Sequence, residues 1–237
     1  MPIRFRFSLV PFIAAVIVVA IGVSLGQWQL RRAAEKRAIE AKWGARTLAA
    51  PTVLNAPVSD PEAFEYRKVL VKGEFDANWP VYLDNRPHDG AAGFYLLMPL
   101  KISGTDLHIL VARGWLPRNA SDRLKLPPID TPKDPVELLG TIRLNPGHLL
   151  ELGGAQRLRP ASIVQNLSIN EFAQASQMKM QPVMLEQLND THDGLVRDWP
   201  LPSAGVDKHL GYAFQWYALA ATAFIFFLVT GFRRGAK

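Results

Sequence analysis

Hydrophobic and polar residues are unevenly distributed along the 237-residue chain. No charged residue occurs from Phe7 to Trp28, and none from Leu210 to Phe232. A helix rises about 1.5 Å per residue and needs roughly 20 residues to cross the hydrocarbon core of a bilayer, so each stretch is long enough to span one. Between them, Gln27 to His209 is rich in charge, proline and glycine. It is long enough for one domain with its own core and too short for two of ordinary size. The pattern predicts a membrane α+β protein: two transmembrane helices, arranged as a hairpin, flank one mainly antiparallel β domain with at least one helix. The expected boundaries are a tail over 1–6, a first span over 7–28, the domain over 29–208, a second span over 209–232 and a tail over 233–237. A cleaved signal peptide is the alternative for the first stretch, and Ser24-Leu25-Gly26 loosely fits a cleavage site. The stretch exceeds the usual apolar region of such a peptide, so an uncleaved anchor is expected.

Inside the domain the periodicity falls to two. Val69 and Val71 alternate with polar neighbours across Tyr66–Phe75, where Gly73 marks a bulge or a strand end. The run from Val81 to Leu100 reads as strand, turn, strand, with turn formers dense between Asn85 and Gly93 and His88-Asp89-Gly90 at the tip. Further strands are expected over Leu107–Pro117 (closed by Gly114 and Pro117), Pro135–Leu144 and Gln181–Leu188, and a weaker one over Pro160–Leu167. Leu167–Ser176 predicts a helix, because Ser168 followed by Glu171 three residues later forms a capping box. The first span is expected to continue out of the bilayer as a helix through Arg31/Glu35 and Lys36/Glu40, pairs four apart, until Gly44 and Pro51 end it.

Within the first span, Gly22 and Gly26 form a GxxxG strip that lets a second helix approach closely. Gly211, Ala218 and Thr222 offer a complementary strip on the second span. Chance placement of glycine in an apolar helix is the competing explanation.

The formal net charge of +6 does not by itself indicate nucleic acid, because the charges are spread out and several lie beside the spans. Anionic membrane lipid is the simpler partner. A count of positive flanks does not favour cytoplasmic termini: Arg4, Arg6, Arg233, Arg234 and Lys237 are matched by Arg31, Arg32, Lys36, Arg37 and Lys42 on the domain side. With no cysteine there is neither a disulfide framework nor a thiolate metal site. The histidines at 88, 108, 148, 192 and 209 are scattered without metal-ligand spacing, and no nucleophile elbow, dinucleotide fingerprint or Walker loop occurs. His-Asp-Gly appears at 88–90 and at 192–194. As Asp-Gly is a common turn dipeptide, a turn is favoured over a hydrolytic His-Asp dyad.

His209 stands apart, because an ionisable residue at a membrane span is a functional-site candidate. Helical spacing sets it on one face with Tyr212, Ala213, Trp216 and Ala220. That face offers an imidazole, two aromatic walls and two small gaps, which suits a flat apolar macrocycle with His209 as axial ligand. An interfacial aromatic belt explains the same residues.

Five segments, in order, resemble the surfeit locus protein 1 family: Leu25–Lys36 (LGQWQLRRAAEK), Tyr66–Phe75 (YRKVLVKGEF), Asn85–Leu100 (NRPHDGAAGFYLLMPL), Val111–Pro117 (VARGWLP) and His209–Ala220 (HLGYAFQWYALA). Residues about 120–205 carry little of the likeness. The resemblance implies a non-catalytic assembly factor for the terminal haem-copper cytochrome c oxidase of respiratory chains, assisting haem a insertion into subunit I, with haem a synthase as a further partner. It also implies both termini in the cytoplasm and the domain in the periplasm of a bacterial inner membrane, or the equivalent sides of the mitochondrial inner membrane. A histidine of the family's second span is implicated in haem binding, and it matches His209. On that reading His209 ligates the iron and Tyr212 and Trp216 wall the ring. Arg86 and Arg113 could meet the propionates, since guanidinium forks suit carboxylates. The loop of Arg86, His88, Asp89 and Gly90 faces a partner, with His88 as an alternative second haem contact. The competing class is a cofactor-free scaffold that stabilises an oxidase intermediate through protein contacts.

Overall fold

The computed structural model describes residues 3–5, 7–119, 121–122, 125–147, 158–202 and 205–234; Arg6, His148 and Lys237 lie outside them. In chain order the elements are β1 (Ile3–Phe5), α1 (Leu9–Thr47), β2 (Thr52–Val53), α2 (Pro61–Phe64), β3 (Lys68–Phe75), β4 (Val81–Leu83), β5 (Gly93–Ile102), β6 (His108–Pro117), β7 (Val136–Arg143), β8 (Ile163–Val164), α3 (Ile169–Ser176), β9 (Met180–Gln187), α4 (Val206–Gly231) and β10 (Phe232–Arg234). They fall into two compact units, one of Met1–Lys42 with Leu201–Lys237 and one of Trp43–Pro200.

The first unit is an antiparallel pair of helices, α1 and α4, both long and apolar enough to cross a membrane. Beyond them, β1 pairs antiparallel with β10. The glycine strip is the seam of the pair. A methyl group at Gly22 would lie 2.9 Å from the Ala220 Cβ and 3.0 Å from the Trp216 carbonyl oxygen, and one at Gly26 would lie 2.8 Å from the Tyr217 ring. Backbones this close need glycine, and the contact they gain is dispersion, since lipid offers no hydrophobic drive between helices. The facing strip differs from the expected one. Gly211, Ala218 and Thr222 are exposed, whereas Ala213 and Ala220 are buried. A methyl group at Gly211 would meet nothing within 4 Å. The sequence holds two small-residue strips on α4, and only one of them can turn toward α1. Phe12 against Phe227, with ring centroids 5.7 Å apart, extends the contact. Large side chains such as Ile13, Ile17, Phe214 and Phe226 remain uncovered, as lipid-facing surface should.

The second unit is a closed barrel. Strand order β3-β7-β9-β6-β5 returns to β3 through a β3–β5 pairing, with β4, β8 and β2 added at its margins. All barrel pairs are antiparallel except β6–β9. Gly73 does not end β3: it is the residue where β3 passes from β7 to β5, pairing with both Val136 and Ile102. A Cβ there would strike the Lys101 carbonyl oxygen. Closure therefore requires glycine, and it removes the open sheet edge that would otherwise invite aggregation.

Alternate residues fill the barrel: Val69 and Val71, Leu100 and Ile102, Ile109 and Val111, Val183 and Leu185. The opposite faces of β4, β5, β6 and β9 are covered by α3, whose Phe172 packs with Leu97, Leu110 and Met184. Because β5 and β6 are buried on both sides, their sequences read as continuous apolar runs instead of alternating ones. The capping box is formed as expected: Ser168 accepts from the Glu171 N–H, and the Glu171 carboxylate accepts from the Ser168 N–H.

Candidate functional site

On α4, His209 is half-buried on the seam side. Its Nδ1 lies 2.6 Å from Oε1 of Gln29 on α1. Its Nε2 has no hydrogen-bond partner among the described residues. Asp207 and Lys208, the charged residues just before it, are exposed. The other expected members of the site separate. Trp216, seven residues on, is half-buried and joins Val18, Ile21, Gly22, Leu219 and Ala223 in lining an apolar groove of about 440 Å³ along the helix pair. Tyr212 is 52% exposed on the flank of the helix. His209, Tyr212 and Trp216 thus share a side of α4, but only His209 and Trp216 turn toward α1.

A haem-type macrocycle needs an axial nitrogen with a free lone pair and an apolar bed. An imidazole whose Nδ1 is already engaged and whose Nε2 is not meets the first need for one axial position. Trp216 and the groove offer apolar surface. Gln29 had no place among the expected site residues. Its signal was legible, because the spacing 22, 26, 29, 33 continues the glycine strip at intervals of four, three and four.

The barrel domain holds the arginines expected to meet propionates, and both are buried. In β6, Gly114 pairs with Leu96 and Ala112 with Leu97. Arg113 is therefore the extra residue of a β-bulge, which re-aims a side chain. It is fully buried. Its Nη1 donates to Thr131 Oγ1 and its Nη2 to the Asp130 carbonyl and to Asp193 Oδ2, each at 2.8 Å. The guanidinium also stacks 4.6 Å from the Phe75 ring centroid. Arg197 closes the other side of Asp193, with Nη2 2.6 Å from Oδ1 and 2.7 Å from Oδ2. Burial pushes the Asp193 carboxyl up. Hydrogen bonds from Arg197, Arg113, Thr191 and the Leu195 N–H outweigh it and hold the group below its ordinary value. Burial lowers the Arg113 pKa, and Asp193 opposes the shift. The second His-Asp-Gly thus carries more than a turn, since its aspartate bridges two buried arginines. With both terminal nitrogens held by internal acceptors, Arg113 is placed as a structural ion-pair residue.

Arg86 is 7% exposed and donates from Nη2 to the Gln165 carbonyl at 3.2 Å, with its guanidinium 5.9 Å from the Tyr95 ring centroid. Burial lowers its pKa, while Tyr95 and Asp84 pull it back. The following loop is a tight hairpin. His88 and Ala91 exchange both backbone hydrogen bonds, with Asp89 at φ 47° and Gly90 at φ 78° between them. Trp115 fixes the loop from beneath, donating from Nε1 to the Arg86 carbonyl at 2.7 Å and placing its ring 5.0 Å from that of His88. His88 Nε2 lies 3.6 Å from an Asp89 carboxylate that is 93% exposed. The hairpin therefore presents Asp89 and Gly90 to solvent on a rigid base.

One further ionisable group stands out in the barrel. Glu186, 17% exposed and 3.5 Å from Arg143, is pushed up to about 7 by burial, with Arg143 only partly opposing the shift.

Comparison with known proteins connects these features. The SURF1 family profile matches residues 16–221, covering the larger part of both helices and the whole barrel. A "SURF1-like protein" of Rickettsia felis is 28% identical over 92% of this chain and 95% of its own length. The "Surfeit locus protein 1" of Rattus norvegicus is 26% identical over 88% of this chain and 72% of its own. The "Cytochrome oxidase assembly protein SHY1" of Saccharomyces cerevisiae is 30% identical over 39% of this chain and 24% of its own. A match that runs from the glycine strip of α1 through every barrel strand to the His209 helix is a match to the whole architecture, and the chain belongs to the SURF1 family.

Proposed function

We propose that this chain assists assembly of a haem-copper cytochrome c oxidase by holding haem a at the helix pair and passing it to subunit I, with haem a synthase as donor. The observation that carries the reading is His209: a membrane-helix imidazole with Nδ1 engaged by Gln29 and Nε2 unpartnered among the described residues. The name of the yeast relative, an oxidase assembly protein, supports the broader role. Haem a, when bound, supplies the redox-active macrocycle that the oxidase needs. The chain itself would hold it through Nε2 of His209, with apolar surface from Trp216 and its groove and a flanking ring from Tyr212. A single holding side chain would suit a carrier, because it would hold the macrocycle and still let it go. The role is one of holding, not of making or breaking bonds. The domain would face the periplasm (or intermembrane space) and both termini the cytoplasm (or matrix), so that a hydrophobic cofactor moves between proteins within the bilayer.

The test is the absorption spectrum of protein purified in detergent from cells that make haem a, wild type beside His209→Ala. Near-stoichiometric haem a in the wild type, lost in the variant, is expected. Absence from both would favour a second reading, that of a cofactor-free scaffold. The observation behind that reading is the rigid hairpin that exposes Asp89 and Gly90 above Trp115. Loss of oxidase association on Asp89→Arg, with haem content unchanged, would identify the hairpin as the contact surface.

A further inference from the structure

We infer that Gln29 is the positioning residue for His209: its side-chain oxygen holds the imidazole as the Nδ1–H tautomer, so that Nε2 carries the ligating lone pair. This rests on the haem-holding reading for its purpose, though the tautomer itself can be tested without haem.

The two residues are 180 positions apart and meet across the seam. Around them the seam is built from small residues: Gly22, Gly26 and Ala33 on α1, and Ala213 and Ala220 on α4, all buried. Gln29 occupies the same stripe, four residues before Ala33 and three after Gly26. A half-buried amide in such a stripe loses hydration that only a partner can replace. The partner is His209, and 2.6 Å is short for an N–H···O contact. A carbonyl oxygen can only accept, so the proton between them belongs to Nδ1. A neutral imidazole has one N–H, which leaves the Nε2 lone pair free. Metal-ligating histidines in general donate their second N–H to an oxygen that fixes the tautomer and sets ligand basicity. Here that oxygen is a neutral amide. A carboxylate would draw the proton away and make the imidazole a stronger, more tenacious donor. An amide keeps it moderate, which suits a site that must release its cargo.

The experiment uses the full chain in detergent, labelled with [15N]histidine, as wild type, Gln29→Leu and Gln29→Glu, with His209→Ala to assign the resonances. Without haem, the wild type should show His209 protonated at Nδ1 and bare at Nε2. Gln29→Leu should lose this preference, and Gln29→Glu should retain it. A wild-type His209 protonated at Nε2, or a tautomer unmoved by Gln29→Leu, would overturn the inference. The same proteins are then titrated with ferric protoporphyrin IX. Gln29→Leu should weaken binding roughly 10- to 100-fold, as is typical on loss of such an orienting partner. Gln29→Glu should bind at least as tightly and shift the iron reduction potential to more negative values. A merely structural clasp would leave the potential of Gln29→Glu where the wild type has it, and that result would also overturn the inference. Circular dichroism and gel filtration check that each variant folds, and Gln29→Glu preserves the side-chain length and the acceptor that leucine removes. If the tautomer follows Gln29 but protoporphyrin binding does not depend on His209, the positioning stands and the haem-holding reading falls.

Discussion

Arg113 in the barrel and His209 in the helix pair are both polar groups set among apolar neighbours, and the two regions treat them in opposite ways. Arg113 spends both terminal nitrogens on Thr131, Asp130 and Asp193, and Asp193 is held in turn by Arg197. His209 has one nitrogen held by Gln29 and the other left without a partner among the described residues. Burying a charge is tolerable only where it is paired and hydrogen-bonded, so the arrangement around Arg113 serves the fold. A half-satisfied imidazole at a membrane helix contributes less to stability, and on the reading proposed above it is kept for a ligand. Burial alone would have ranked Arg113 as the more conspicuous candidate. Arg113 is nevertheless tied to an internal counter-charge, Asp193, whereas His209 meets only a neutral amide, and that difference reverses the ranking.

The sharpest way to break the comparison is Asp193→Asn. It keeps the shape but leaves the buried Arg113 guanidinium without a counter-charge, while Arg197 retains Asp190 at 3.1 Å, at an expected cost of about 3–5 kcal/mol to the barrel, read by denaturant titration followed through near-ultraviolet circular dichroism. The Asp193 carboxyl is held below its ordinary value. Its stabilisation is therefore present above the unfolded aspartate pKa and is lost as pH falls through the lower, folded value. The variant should lack that acid limb. A cost under about 1 kcal/mol would mean that the ion pairs are dispensable and that Arg113 is free for another task.

The helix pair should fail sterically where the barrel fails electrostatically. Gly22→Leu places atoms where Ala220 Cβ and the Trp216 carbonyl already stand and should cost up to about 3 kcal/mol. Gly211→Leu meets nothing and should be neutral. As the chain has no cysteine, a spin-label pair introduced near one end of each helix reads the separation directly. Equal effects from the two substitutions would show that the seam faces another way.

Glu186 lies on β9, on the face opposite the barrel interior that Val183 and Leu185 fill. Its folded pKa of about 7 exceeds the ordinary glutamate value. The folded state thus keeps a proton that the unfolded state gives up, and stability falls as pH rises from the ordinary glutamate range to about 7. Glu186→Gln should flatten that fall, a difference on the order of 2 kcal/mol at pH 8, measured by urea titration across pH. The smallest effect is expected at the α3 cap. Ser168→Ala should cost about 1 kcal/mol in thermal unfolding and leave the spin-label separation in the helix pair unchanged.

The elements legible in the sequence were those with a local cause. Two charge-free stretches gave the spans, alternation gave β3 and β7, turn chemistry at His88-Asp89-Gly90 gave the hairpin, and Ser168 with Glu171 gave the cap of α3. What stayed hidden had no local cause. Gly73 reads as a bulge or a strand end because nothing in its neighbourhood shows that β3 will pair with β7 on one part and β5 on the other. Arg113 reads as a candidate propionate contact because alternation shows neither the bulge that carries it nor Asp193 as its partner. At the site, His209 was visible as an anomaly in its span and Gln29 lay on the continued glycine strip, but nothing local paired the two across 180 positions.

The sequence by itself therefore determined where the chain enters an apolar medium, which segments extend and which coil, and which histidine is out of place. These follow from hydropathy, periodicity and capping, properties of residues close together along the chain. Tertiary structure alone decided which of two small-residue strips on α4 meets α1, that the barrel closes, that Asp193 reaches Arg113 across 80 positions, and that Gln29 reaches His209 across 180. Helix rotation, strand register and closure set these contacts. Each is a choice among arrangements that the local pattern leaves equally open, settled only when the whole surface is packed at once.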